Sequence, residues 1–158
     1  MDASFVKAKK GGDGVGKTKI GKGTKIMAMV ERRGRPCAIH CASANPHESK
    51  LVEPTLQQTF TPQKPQRIIA DKAYDSDPLD QQLHAQDIEL IAPHKQNRKK
   101  PPTQDRRKLR RYKRRWKIEN LFAHLQHYKR IVVRYETKLI NFQALVLLAC
   151  IFTLLRHF

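Results

Sequence analysis

The sequence contains few acidic residues for its length. Asp and Glu number 14 against 32 Lys and Arg, which gives a formal net charge of +18 and a pI of about 10.2. Such an excess of positive charge repels itself unless a polyanion neutralises it. Nucleic acid is therefore the expected partner.

Cysteines and long apolar runs are also scarce. The three cysteines are odd in number and no secretory signal precedes them, so we expect a reducing, cytoplasmic environment. The longest apolar stretch, residues 144–155, is interrupted by Thr153 and is too short to span a bilayer. We expect it to form a buried terminal helix, and we expect no membrane partner.

The positive charge is concentrated in one segment. Residues 95–117 hold 13 of the 32 basic residues and a single acid, Asp105. A disordered basic arm or a solvated helix face would explain such a run. However, Leu109, Tyr112 and Trp116 recur at helical spacing, which favours an ordered helix.

The 158 residues suffice for one domain with a proper core. Turn, cap and apolar patterns predict strands at 2–8, 26–30, 37–42, 67–70 and 88–92. They predict two helices that begin near Asn45 and near Ser76. They also predict a long helix from about 106 to about 128 and a last helix from about 139 to the C-terminus. This order indicates an α/β domain with a mixed sheet.

Residues 11–18, GGDGVGKT, match the letters of a phosphate-binding loop. That loop requires a helix that starts at its Lys-Thr pair. Gly21 and Gly23 follow within the next turn and a half and disfavour such a helix. A nucleotide-binding enzyme is therefore the less favoured interpretation, and a flexible loop before a β-hairpin is preferred.

Two acidic residues stand out by position. Asp71 directly follows a predicted buried strand, where open α/β sheets place ligands, although a turn or cap residue would look the same. Helical spacing places Glu119 on one stripe with Tyr112, Arg115 and Gln126, at the margin of the predicted core face. Glu119 could equally be an i,i+4 partner of Arg115.

Several stretches of the chain carry a resemblance to a known family. They include DASFVKAKKGG at residues 2–12, IIADKAYDSDPLD at 68–80 and YKRRWKIE at 112–119. In order and spacing they resemble the catalytic half of DDE transposases of bacterial insertion sequences, in the group marked by a Tyr-x2-Arg-x3-Glu signature. The resemblance extends over essentially the whole chain.

The resemblance implies a ribonuclease-H-like fold, with a mixed sheet flanked by helices. It implies that Asp2, Asp71 and Glu119 converge as catalytic carboxylates that hold two Mg²⁺ or Mn²⁺ ions. Such ions favour oxygen ligands and promote in-line displacement at phosphodiesters. The implied activity is strand cleavage and transfer on transposon ends and target DNA, in the bacterial cytoplasm at the nucleoid.

The resemblance also implies DNA contacts. Tyr112 and Arg115 match the signature, but Gln126 stands where the family pattern has Lys, and we expect Lys129 or Lys113 to replace it. Positive charge makes DNA binding salt-dependent. The expected DNA-binding residues are Tyr112, Arg115, Lys113, Arg114, Lys129, Lys17 and Lys22.

Only Met1 precedes Asp2, so we expect an incomplete first strand and no N-terminal DNA-binding domain, with residues 1–158 forming the catalytic domain. A downstream reading frame, joined to an upstream product, or a truncated copy would explain this. We expect a homo-oligomer in the active state. The alternative function is an inactive, transposase-derived DNA-binding protein or regulator.

Overall fold

The computed structural model describes residues 1–103 and 106–155. Within these residues the strands are Asp2–Ala8 (β1), Gly16–Thr18 (β2), Gly21–Val30 (β3), Pro36–Ser43 (β4), Arg67–Ile69 (β5), Glu89–Ile91 (β6) and Val133–Arg134 (β7). The α-helices are Val52–Gln57 (α1), Asp77–His84 (α2), Arg106–Leu109 (α3), Trp116–Leu125 (α4), Lys129–Val132 (α5) and Leu139–Leu155 (α6). Single 3₁₀ segments lie at Glu48–Leu51, Lys72–Tyr74 and Arg110–Arg115.

The main sheet is mixed, as the sequence predicts. Strand β3 pairs antiparallel with β1, β2 and β4, and β7 adds parallel to the far side of β1. Asp2 lies opposite Ala28 and Lys7 opposite Gly23. Lys7 also pairs with Val133. Asp2 and the β1–β7 pairing therefore lie at opposite ends of β1.

Strands β5 and β6 form a second, parallel sheet. The two sheets meet where the Met1 ammonium donates a 2.7 Å hydrogen bond to the carbonyl of Ile69. Burial lowers the pKa of this ammonium to about 6. The contact places the start of β1 next to the end of β5, and with it Asp2 near Asp71.

Two apolar clusters cover the two faces of the main sheet. Alternating side chains along β3 divide between them, because successive residues of a strand point to opposite faces. Ile26 and Ala28 pack in a cluster that includes residues of α4 and α6, whereas Met27 and Met29 pack in one that includes residues of α2 and β5. Helical elements therefore flank the sheet on both sides.

Helix α6 is apolar around most of its circumference. Phe142, Val146, Ala149 and Cys150 are buried in the core, and the exposed large side chains are Ile140, Leu148, Ile151, Phe152 and Leu155. Within the described chain, no helix combines the length and apolarity that a bilayer crossing requires. The predicted terminal helix is confirmed from Leu139 to Leu155, but it is buried only in part, and residues 156–158 lie outside the described residues.

Three local predictions need correction. The Lys/Gly segment is not one continuous loop, because β2 pairs with the start of β3 through Gly16 and Gly23. The 3₁₀ segment Glu48–Leu51, which precedes α1, is capped by His47 and not by Asn45; the His47 ring accepts a hydrogen bond from the Ser49 N–H. The predicted helix at 106–128 is interrupted by the 3₁₀ segment and ends at Leu125.

Arg134, at the end of β7, anchors the glycine-rich segment. Its guanidinium is fully buried and donates to the carbonyls of Asp13 (2.7 Å) and Thr137 (3.0 Å) and to the hydroxyl of Thr24 (2.7 Å). It lies 5.6 Å from the centre of the Phe142 ring. Neither β7 nor this anchor was predicted from the sequence.

Candidate active site

Three acidic side chains lie where structural elements begin or end. Asp2 is the first residue of β1. Asp71 follows β5 and caps the 3₁₀ segment Lys72–Tyr74, with its Oδ1 accepting from the Ala73 N–H at 2.7 Å. Glu119 lies in the first turn of α4. The cap role that the sequence left open for Asp71 is therefore present, and it fixes the carboxylate at the end of the strand.

The guanidinium of Arg115 brings these carboxylates together. Its Nη2 atom lies 2.8 Å from Oδ2 of Asp2 and 3.5 Å from Oε1 of Glu119. Its Nη1 atom lies 4.0 Å from Oδ2 of Asp71. The i,i+4 contact with Glu119 that the sequence offered as an alternative is thus part of a four-residue cluster.

The members of this cluster differ in exposure. The side chain of Asp2 is 13% exposed, that of Asp71 26% and that of Glu119 58%. Glu119 thus lies toward solvent and not at the edge of the core face, because the neighbouring Ile118 takes the buried position. Asp2 is therefore the carboxylate of the cluster least accessible to solvent, and Glu119 is the most accessible.

Arg115 is held by a neutral partner as well. Its Nη1 donates to the Tyr112 hydroxyl at 3.0 Å, a contact that the i,i+3 spacing of the 3₁₀ segment allows. Burial lowers the pKa of Arg115, but hydrogen bonds to Tyr112 and Asp2 outweigh that effect and raise it above its ordinary value. Arg115 remains a permanent cation.

A fourth acidic residue near the cluster was missed by the sequence analysis. Glu48 begins the 3₁₀ segment after β4, and it is partly buried. Burial raises its pKa, Lys25 opposes the rise, and the charges of Asp71 and Asp2 add to it. Its sequence context suggested only an acid in a first helical turn, so no local signal separated it from an ordinary helix start.

A basic cleft adjoins the cluster. This cavity of about 770 Å³ lies between the β3–β4 turn, β5 and the 3₁₀ segment of Arg115. Met1, Met29 and Ile68 contribute apolar surface to its wall. Its cationic lining includes Arg32, Arg35, Arg67, Arg111, Arg114 and Lys117. The turn arginines were not identified from the sequence, since only folding brings them next to the residue 95–117 run.

The predicted DNA-binding residues fall into two groups. Tyr112, Lys113, Arg114 and Arg115 share the 3₁₀ segment beside the carboxylates. Lys17 and Lys22 face each other across β2 and β3, beyond the Lys7 end of β1. Five residues of strand separate that end from Asp2, roughly 16 Å at about 3.3 Å per residue.

Lys129 belongs with the distant group. It begins α5, which leads into β7 at the Lys7 end of β1. Gln126, the residue in the place of the expected Lys, is exposed and follows the end of α4. Contacts from Lys17, Lys22 or Lys129 would therefore reach DNA away from the carboxylate cluster.

The structure contradicts a phosphate-binding loop at residues 11–18. Lys17 and Thr18 lie in β2, and the next element is β3. No helix begins at this pair, so the row of helix N-terminal amides that cradles phosphate is absent there.

The cluster suits a divalent cation in its chemistry. Carboxylate oxygens are the hard ligands that Mg²⁺ and Mn²⁺ prefer. In the part of the chain that is described, no three His, Cys, Asp or Glu side chains form a ready-made cage. Instead the positive charge among Asp2, Asp71 and Glu119 is supplied by Arg115.

Comparisons with known proteins found a matching family and a similar protein. The transposase DDE domain family matches residues 1–154. A protein of Brucella ovis, named as the candidate transposase for insertion sequence element IS6501, is 41% identical over 139 residues, covering 84% of this chain and 98% of that protein. No solved structure matches the chain.

Proposed function

Since this chain belongs to the transposase DDE domain family, we propose that it cleaves DNA at the ends of an insertion sequence and joins those ends to target DNA. Transposase function follows from the family. The reaction, its residues and its metal dependence are the proposal. The mixed sheet with flanking helices supports a ribonuclease-H-like arrangement for residues 1–158.

One observation carries the proposal: Asp2, Asp71 and Glu119 converge on a single guanidinium. They come from β1, from the end of β5 and from α4, so folding alone brings them together. Like charges repel, and a group of carboxylates on one cation is a costly arrangement that function commonly explains.

The three carboxylates would hold the metal. Two Mg²⁺ or Mn²⁺ ions, when bound, would activate the attacking oxygen and stabilise the leaving oxygen of a phosphodiester. Asp71 is fixed by its bond from Ala73, and Asp2 by β1 and by Met1. Glu119, which is the most exposed, has the greatest freedom to adjust to a substrate.

The basic cleft would hold the DNA backbone next to the carboxylates. Arg32, Arg67 and Arg114 line it from three different segments, so a phosphodiester chain is neutralised from several sides. Arg115 lines the cleft and touches the carboxylates, which connects the two halves of the site. A protein of this charge would associate with the bacterial nucleoid.

The active form would be a homo-oligomer. Helix α6 has no charged residue from Leu139 to Leu155 and exposes Ile151, Phe152 and Leu155. On a chain of +18, such a charge-free apolar face is where two copies can approach with the least repulsion. We therefore assign α6 to the contact with a second copy.

The test is a cleavage assay with the full chain. The substrate is a supercoiled plasmid that carries the DNA flanking this reading frame, incubated with Mg²⁺ or Mn²⁺. We expect nicking by the wild type and a loss of roughly a hundredfold or more in Asp71→Asn and Glu119→Gln, in line with the removal of key electrostatic groups from active sites.

Asp87→Asn is the matched control, because Asp87 is an exposed carboxylate outside the cluster. It should cleave as the wild type does. If the wild type binds the plasmid and cleaves with neither metal, the proposal fails and the chain is a DNA-binding regulator. Nucleotide hydrolysis instead of DNA cleavage would contradict it as well.

A further inference from the structure

Arg115 makes an unusual set of contacts for an arginine expected to bind DNA. It is only 23% exposed, and its closest charged neighbour is Asp2, at 2.8 Å. Its contacts to Glu119 (3.5 Å) and Asp71 (4.0 Å) exceed ordinary hydrogen-bond lengths. One positive charge thus serves three carboxylates, and it forms a hydrogen bond with only one of them.

The guanidinium is also incompletely satisfied. Its Nε atom is buried and has no hydrogen-bond partner in the described part of the chain. Arginine binds a carboxylate or a phosphate best through two parallel hydrogen bonds, which this arrangement does not provide. The position of Arg115 therefore follows from charge more than from a fitted geometry, and a better partner would displace it.

Such a partner would enter through the basic cleft. Arg115 forms part of the cleft wall as well as the centre of the carboxylate cluster. A DNA phosphate in the cleft would compete with the carboxylates for the guanidinium. A divalent cation would compete with the guanidinium for the carboxylates.

We propose that Arg115 holds the place of the divalent cation among Asp2, Asp71 and Glu119 in the free protein, and moves to a DNA phosphate when the cation binds. The cation and DNA then strengthen each other's binding, because each removes the other's competitor. By linkage, the two enhancements are equal. This rests on the proposed function, since it takes the three carboxylates as the metal ligands.

The first measurement is Mn²⁺ binding to the full chain, in which the electron paramagnetic resonance signal reports the concentration of free Mn²⁺. It is made without DNA and with a short duplex oligonucleotide. In the wild type the duplex should tighten Mn²⁺ binding by about fivefold or more, the lower range of known couplings. Arg115→Gln should bind Mn²⁺ more tightly than the wild type without DNA, and the duplex should add little.

Arg114→Gln is the matched control for simple loss of charge. Arg114 precedes Arg115 and lines the same cleft, but it makes no ion pair with the three carboxylates. This variant should bind the duplex more weakly. The ratio of its Mn²⁺ affinity with the duplex to that without the duplex should be the same as in the wild type. If the two variants behave alike, nearby charge explains the effect and the proposal is overturned. Persistent coupling in Arg115→Gln overturns it too.

A second measurement uses the wild type alone, so the proposal stays testable if Arg115→Gln does not fold. Fluorescence anisotropy of the labelled duplex should show that Mn²⁺ tightens DNA binding. The factor should equal the one by which the duplex tightens Mn²⁺ binding. Absence of this enhancement contradicts the proposal. Neither measurement requires cleavage, so an inactive chain that still shows the coupling refutes the proposed reaction and leaves the role of Arg115 intact.

Discussion

Arg115 Nη2 lies 2.8 Å from Oδ2 of Asp2, although 113 residues separate the two along the chain. The contact joins the first residue of the first strand to the 3₁₀ segment before α4. It joins the carboxylate cluster to the wall of the basic cleft. Both proposals about this protein depend on it.

Asp2→Asn should abolish plasmid cleavage and leave the fold intact. An amide still accepts a hydrogen bond from Arg115, but it removes one of the charges that would hold the metal. DNA affinity, measured by fluorescence anisotropy, should stay equal or increase, because a negative charge near the phosphates is lost. Retained cleavage in this variant would remove Asp2 from the reaction.

Arg134→Met should destabilise the protein by about 3 kcal/mol or more, because several buried acceptors lose a charged donor at once. The affected acceptors include the carbonyls of Asp13 and Thr137 and the hydroxyl of Thr24. Thermal unfolding should show a melting temperature lower by roughly 10 °C for a chain of this length. Arg130→Met, at a largely exposed arginine, is the comparison and should cost far less.

Asp75 should make stability depend on acid pH. Burial would raise its pKa, but hydrogen bonds from the Lys95 N–H and His94, with the charge of Arg98, lower it below 3.8. The unfolded state then binds more protons, so this stabilisation is full above the ordinary pKa and decreases as the pH falls through and below 3.8. Urea unfolding of the wild type and Asp75→Asn should show a stability difference that shrinks between about pH 5 and pH 3.

The exposed Asp87→Asn is the control for that experiment and should follow the wild-type curve over the same pH range. A difference between the wild type and Asp75→Asn that stays constant down to pH 3 would show that the charge of Asp75 does not stabilise the fold.

Neither the wild type nor Lys17→Ala should bind a nucleotide, because β2 offers no helix N-terminus for a phosphate. Equilibrium dialysis with ATP should detect no saturable site in either protein. DNA binding should weaken slightly, with a salt slope smaller by about one if Lys17 contacts a phosphate. Saturable ATP binding that disappears in the variant would restore the phosphate-loop interpretation.

Ile151→Lys should weaken self-association through α6. Ile151 is 51% exposed, so the change adds charge to the apolar face without opening the core. Light scattering after gel filtration should show a smaller mean mass than for the wild type. Gln57→Lys adds the same charge at an exposed position on α1 and should leave the mass unchanged. Equal masses for all three proteins would exclude α6 as the contact.

Local sequence predicted several elements well. Helix α2 begins after Ser76 with Pro78 near its start, and α6 begins at Leu139 as expected. The hairpin around Gly34 forms as predicted, with β3 starting earlier, at Gly21. In each case the signal lies within a few neighbouring residues, through caps, turn residues or apolar periodicity.

Other elements depend on distant partners. Strand β7 has only two residues, and it exists because β1 is available to pair with it. The segment Arg110–Arg115 has a helical apolar period but adopts 3₁₀ geometry, in which Tyr112 meets Arg115. The burial of Arg134 depends on carbonyls 120 residues earlier in the chain. Local propensity contains none of this information.

The sequence by itself determined the charge of the protein, the alternation of strands and helices, and the residue types of the site. Those properties are local, since they follow from composition, caps and spacing. Only the tertiary structure decided that Asp2, Asp71 and Glu119 share one guanidinium and that the arginines of the β3–β4 turn face the same cleft. The physical reason is that close approach of like charges needs a folded core to hold them, and that core is assembled from contacts far apart in the chain.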